Sequence, residues 1–149
     1  MKSSGSELRF GLDTSCVLPL VAEWHEHHEP TTRGYRARLI RGETPVIPVH
    51  ALFECYSILT LLPHPLRTNP ESAAKVLMEY FADVEIAGLE SNLGWSVIRS
   101  ASTLGIGGGR IYDAAIAAAV AEAGALVLVT WNMKHFLGCS PAGLQIVQP

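Results

Sequence analysis

The 149-residue chain is 48% apolar and 17% charged, a balance that suits one globular domain with a real core and excludes a disordered polypeptide. Its formal charge of −3 excludes a protein that grips nucleic acid by bulk positive charge, so any phosphate contact needs a local patch or bound cations. No apolar run approaches the ~18 residues of a membrane span, so no membrane association is expected. The odd number of cysteines (Cys16, Cys55, Cys139) without metal-type or redox-type spacing points to a reducing, cytoplasmic setting.

Taken in chain order, the polar start Met1–Glu7 reads as a flexible leader and residues 8–149 as a single domain. Leu8–Leu12 is a first strand. Asp13-Thr14-Ser15 is a helix-start signal and Cys16–His28 the helix it opens. Pro30-Thr31-Thr32 is expected to break the chain before a basic helix over Arg33–Arg41. Pro45–Ile47 is a short strand, and Pro48 suits the first turn of a helix over Val49–Leu62, closed by Pro63 and Pro65. Pro70–Phe81 is helical, Val84–Ala87 a strand and Glu90–Leu104 a helix by its apolar spacing. Gly105–Gly109 is a loop, Ile111–Ala123 an Ala-rich helix ended by Gly124, Ala125–Thr130 a near-continuous apolar strand, and Leu144–Val147 a last strand. This alternation predicts an open, mostly parallel α/β sheet with helices on both sides. Ligands of such sheets bind at the carboxyl ends of the strands, which directs attention to Asp13, Asp113 and Asn132.

Three carboxylates stand alone in apolar surroundings. Asp13 is the only formally charged residue between Arg9 and Glu23, Glu54 between Glu43 and Arg67, and Asp113 between Arg110 and Glu122. An unpaired buried carboxylate is costly or takes up a proton, and no lysine or arginine lies in these stretches to pair with them. If the three converge, a shared hard cation such as Mg²⁺ or Mn²⁺ relieves their repulsion. Each also has a plainer explanation. Asp13 can cap a helix, Asp113 can answer a helix dipole, and Glu54 can pair with His50 at helical spacing.

At these residues the chain resembles the PIN-domain nucleases, and most closely the VapC-type toxins of type II toxin–antitoxin pairs. The resemblance runs through LDTSCVLPLV (Leu12–Val21), HALFECYSILTLLP (His50–Pro63), GGGRIYDAAIAAAVAEAGA (Gly107–Ala125) and LVLVTWNMKHF (Leu126–Phe136). It implies a three-layer α/β/α fold with a mostly parallel central sheet of about five strands. It also implies endoribonuclease activity dependent on Mg²⁺ or Mn²⁺, products with 5′-phosphate and 3′-hydroxyl ends, a homodimer, and a small antitoxin that places a basic side chain in the acidic site. The family's acids fall on Asp13, Glu54 and Asp113, its hydroxyl residues on Thr14, Ser15 and Thr130. A fourth acid common in relatives is replaced by Asn132, which can coordinate through its amide oxygen but adds no charge and makes a second metal less favourable.

The expected chemistry is phosphodiester hydrolysis, with Asp13, Glu54 and Asp113 holding one ion and Asn132 completing its shell. His135 is a surface histidine or a group that reaches the leaving group. Arg33, Arg36, Arg38 and Arg41 form the one concentrated basic stretch, with Arg36 and Arg38 as candidate RNA contacts or simply a solvated face. The Trp24–His28 run reads as exposed histidines, and the glycine loop lacks the Lys-Ser/Thr of a phosphate loop. The competing reading is a catalytically silent PIN-like module that binds RNA or protein, favoured by the absent fourth acid. A receiver domain is argued against by the lack of an acidic neighbour to Asp13, and a dehalogenase-type phosphatase by Ser15 two residues on.

Overall fold

The computed structural model describes residues 7–149. The expected leader therefore falls outside the described residues, except for Glu7, whose carboxylate accepts a hydrogen bond from the Thr44 hydroxyl at 2.6 Å. Five strands, β1 (Arg9–Leu12), β2 (Thr44–Pro48), β3 (Glu85–Ala87), β4 (Val127–Val129) and β5 (Gln145–Val147), form one sheet in the order β3-β2-β1-β4-β5. Every pairing is parallel. The seven helices among the described residues are α1 (Thr14–Val21), α2 (His28–Ile40), α3 (Val49–Leu61), α4 (Pro70–Tyr80), α5 (Ser91–Leu104), α6 (Arg110–Glu122) and α7 (Met133–Phe136).

Parallel strands need crossovers, and helices supply them on the sheet faces. That is why the central strands carry apolar side chains on both sides: Phe10, Val46, Ile47 and Leu128 are fully buried. Removing each from water contributes about 1.5–3 kcal/mol. α1, α3 and α6 close over this layer with Cys16, Val17, Leu20, Ala51, Cys55, Ile116, Ala117 and Val120 in one continuous core. Gly11 in β1 has a steric purpose, since a Cβ there would overlap the Val120 side chain of α6. The alanines of α6 and the glycine of β1 together let helix and strand approach closely.

The first two helices differ from expectation. α1 stops at Val21 rather than running to His28. Pro19 lies inside it and removes one backbone donor from an already short helix. The chain then turns, and the His28 ring meets the Pro19 carbonyl at 2.7 Å, tying α2 back to α1. Pro30 does not break the chain. It occupies the first turn of α2, where a missing N–H costs nothing, and α2 continues as one helix to Ile40. Pro48 is likewise the residue that caps α3 rather than one within its first turn. α7 was not anticipated, being four residues long. The other elements agree with the pattern-based boundaries to within two residues at each end.

Candidate active site

β1 delivers Asp13 to the carboxyl edge of the sheet. Its backbone is extended (φ −86°, ψ 178°) and caps α1 through its carbonyl, which accepts from Cys16 N at 3.1 Å and Val17 N at 2.9 Å. The side chain makes no capping bond. Instead Ser15 Oγ donates to Oδ1 at 2.7 Å and Thr130 Oγ1 donates to Oδ2 at 2.6 Å. Both hydroxyls are oriented by backbone donors. Trp131 N–H donates to Ser15 Oγ at 2.9 Å and Asn132 N–H to Thr130 Oγ1 at 2.8 Å, so each hydroxyl proton is left for the carboxylate. Asp13 is 3% exposed. Burial pushes its pKa from 3.8 up to about 6, against the pull of the Thr130 and Ser15 hydrogen bonds.

α3 begins directly after β2 and carries Glu54 one turn beyond His50. The His50 Nε2 lies 2.8 Å from Glu54 Oε1, with both side chains partly exposed. Asp113 stands in the first turn of α6, about one-fifth exposed, with His135 Nδ1 at 3.6 Å from Oδ2. Burial raises the Asp113 pKa, while the charges of His135, Arg110 and His50 oppose the rise. The His50 ring stacks on Tyr112, the residue before Asp113, with centroids 4.7 Å apart and planes 13° from parallel. α1 and α3 follow the neighbouring parallel strands β1 and β2, and α6 leads back into β4, so the N-terminal ends of these three helices lie toward the carboxyl edge of the sheet. Among the described residues, however, no three acid, histidine or cysteine side chains are close enough together to grip a metal ion. The expected convergence is therefore incomplete: Asp13 is occupied by two hydroxyls, and Glu54 and Asp113 are related through His50.

The other expected site residues fall in different places. Thr130 is fully buried against Asp13, and the Thr14 hydroxyl is buried without a hydrogen-bond partner. Asn132 is exposed on the same turn. Arg38 lies elsewhere. Its guanidinium bonds Glu43 at 2.6 Å and sits 5.3 Å over the Phe10 ring, and Arg41 reaches the same Glu43 at 2.8 Å. Glu43 immediately precedes β2, which places these groups at the amino end of the sheet, opposite Asp13. Arg38, a candidate RNA contact, is thus engaged in an intramolecular ion pair with Glu43. Arg36 is exposed and lines a surface groove along α2 with Glu29, Thr32 and Arg33.

The cysteines are free; Cys16 and Cys55 are core side chains whose thiols burial pushes up, which makes them poor nucleophiles. The Trp24–His28 run packs by ring contact: His27 stacks on Trp131 at 4.2 Å, and the Trp131 indole N–H donates to buried Thr31 at 2.8 Å. Trp131 and Tyr112 escaped the sequence reading. Adjacency to Thr130 and Asp113 was the available signal for each.

The residues fit a hard divalent cation in donor chemistry. Asp13 is a buried carboxylate whose hydrogen-bond partners are neutral hydroxyls, which hold it in place without cancelling its charge. Glu54 and Asp113 retain solvent access, as ligands to an exchangeable ion require.

No family model matches the chain. It is 36% identical over 111 residues to ribonuclease VapC27 of Mycobacterium tuberculosis, covering 74% of this chain and 76% of that protein. Its fold is similar to that of a VapBC2 complex from Rickettsia felis bound to a promoter DNA fragment (TM-score 0.69, 17% identity, 93% and 97% of the two chains). It is also similar to that of VapC20 from Mycobacterium tuberculosis, a toxin that cleaves the sarcin-ricin loop (TM-score 0.69, 13% identity, 89% and 96%). An all-parallel five-stranded sheet, acids at its carboxyl rim and this level of identity to a curated ribonuclease have one common explanation: the chain belongs to the VapC family of PIN-domain ribonucleases.

Proposed function

We propose that the chain is a divalent-metal-dependent endoribonuclease, the toxin of a toxin–antitoxin pair, acting in the cytoplasm on RNA phosphodiester bonds. The observation that carries the metal dependence is Asp13, a carboxylate 3% exposed whose hydrogen bonds come from neutral hydroxyls. Family membership supports the RNA-cleaving activity.

Asp13, Glu54 and Asp113 are the residues that hold Mg²⁺ or Mn²⁺, with the Asn132 amide completing the shell. When bound, such an ion supplies a more acidic water and positive charge opposite the phosphoryl oxygens. Ser15 and Thr130 keep both Asp13 oxygens in a fixed orientation, which limits the reorganisation needed during reaction. The Thr14 hydroxyl next to Asp13 is buried and unpartnered, and its role is to orient the metal ligands. One of the carboxylates accepts the proton of the attacking water, and the products carry 5′-phosphate and 3′-hydroxyl ends. Arg36, on the exposed face of α2, contributes to RNA binding. The partners are a second copy of the chain and a small antitoxin whose basic side chain enters the acidic rim.

The test is RNA cleavage by Asp13→Asn, Glu54→Gln and Asp113→Asn, with Mg²⁺, with Mn²⁺ and with chelator. All three variants and chelation are expected to abolish cleavage; wild-type rates in the variants sink the site. One observation favours the silent-module alternative, namely the lack of a closed three-ligand cluster among the described residues. Absence of Mn²⁺ uptake by the wild-type chain in calorimetry would decide for it.

A further inference from the structure

The imidazole of His50 lies between two helices that each carry one of the site's acids. On one side its Nε2 is buried and 2.8 Å from Glu54 Oε1, yet off the line of a proper hydrogen bond. On the other, its ring is stacked almost parallel to Tyr112 on α6. A buried ring nitrogen without an aligned partner calls for an explanation. Its explanation here is the neighbouring carboxylate, within reach after a small rotation of the Glu54 side chain.

We propose that His50, clamped by Tyr112, is a positioning residue that holds Glu54 toward Asp113 for divalent-cation binding. The inference rests on the metal site proposed above. Glu54 lies mid-helix with several rotatable bonds and partial exposure, so left alone it samples solvent-facing rotamers and loses entropy when it binds an ion. The contact with His50 engages Oε1 only. Tyr112 is half exposed and its hydroxyl makes no hydrogen bond among the described residues, but its ring covers the flat face of His50 and fixes the imidazole plane. Because Tyr112 immediately precedes Asp113, the same stack sets the spacing between the start of α6 and α3. One imidazole thereby relates a glutamate on α3 to an aspartate on α6 that do not touch.

Mn²⁺ binding to the full chain, measured by calorimetry without RNA, separates this role from general stability. Removing a residue that orients a metal ligand weakens binding by about 10- to 100-fold. His50→Leu and Tyr112→Ala are therefore expected to bind Mn²⁺ at least about tenfold more weakly than wild type, and to need correspondingly more Mn²⁺ for half-maximal RNA cleavage. Tyr112→Phe, which keeps the stacking ring, is expected to match wild type, and His50→Gln, which keeps a donor, to recover part of the loss. Melting curves check folding, and should His50→Leu fail to fold, the Tyr112→Ala and Tyr112→Phe pair decides. If Glu54→Gln weakens Mn²⁺ binding while His50→Leu and Tyr112→Ala do not, the positioning role is overturned and the site stands. Tighter binding by His50→Leu overturns it too, since the imidazole would then be a competitor for Glu54. If wild type takes up no Mn²⁺, or Glu54→Gln leaves its uptake unchanged, the metal site falls and this inference with it.

Discussion

Thr130 Oγ1 donates to Asp13 Oδ2 at 2.6 Å, joining residues 117 positions apart at the ends of two neighbouring strands. The hydroxyl is fully buried and also accepts from Asn132 N. Thr130→Val keeps the shape and removes both interactions, leaving a buried acceptor and a partly buried backbone donor unsatisfied. The expected loss is about 2–4 kcal/mol in chemical denaturation. A loss near zero would mean the hydroxyl is not oriented as described.

Asp13 makes stability depend on pH in an unusual direction. Its carboxyl has a folded pKa of about 6 against the ordinary 3.8 of an aspartate in water, so the folded state holds the proton more tightly than the unfolded state. Stability from this group is present below pH ~4 and is lost as pH rises through ~6, roughly 3 kcal/mol in all. Asp13→Asn is expected to flatten the denaturation free energy across this window and to raise it at pH 7. Adding Mg²⁺ or Mn²⁺ at pH 7 is expected to stabilise wild type and not the variant. A wild-type profile that rises from pH 4 to 6 by the same amount as the variant's would refute the shift.

Arg38 and Arg36 lie two residues apart on α2 but in different surroundings. Arg38→Ala removes a partly buried pair with Glu43 and the contact over Phe10. It is expected to lower stability by about 1–3 kcal/mol while leaving RNA cleavage per folded molecule unchanged. Arg36→Glu is expected to weaken RNA binding and reduce its salt slope with stability within about 0.5 kcal/mol of wild type. Urea titration and an RNA-binding isotherm at two salt concentrations check the pair, and equal stability losses would contradict the assignment.

Gly11 permits the approach of α6 to β1. A methyl at this position meets Val120, a β-branched side chain with few alternative rotamers. Gly11→Ala is expected to destabilise by about 1–3 kcal/mol, and the double variant Gly11→Ala/Val120→Ala to recover part of that loss. Thermal melting of the two proteins tests this; absence of recovery would mean that backbone strain, not the Val120 contact, causes the loss.

The strands and most helices were legible from the amino acids alone, because alternation and proline placement are local properties, and unpaired charge is equally local in singling out Asp13, Glu54 and Asp113 as candidates. Burial on both faces writes itself as an apolar run in Ala125–Thr130, and a lone carboxylate such as Asp13 stands out wherever its neighbours are apolar. The turn after α1 was not legible, since Pro30 is equally suited to break a chain or to enter a first helical turn, and the choice rests on how His28 meets Pro19. Nor were the pairings of the site. That Asp13 is held by Thr130, that His50 lies between Tyr112 and Glu54, and that Arg38 belongs to Glu43 are all consequences of which helix covers which strand. Residue chemistry sets what each group is able to bind, but only three-dimensional packing determines which of many chemically suitable partners arrives within bonding distance.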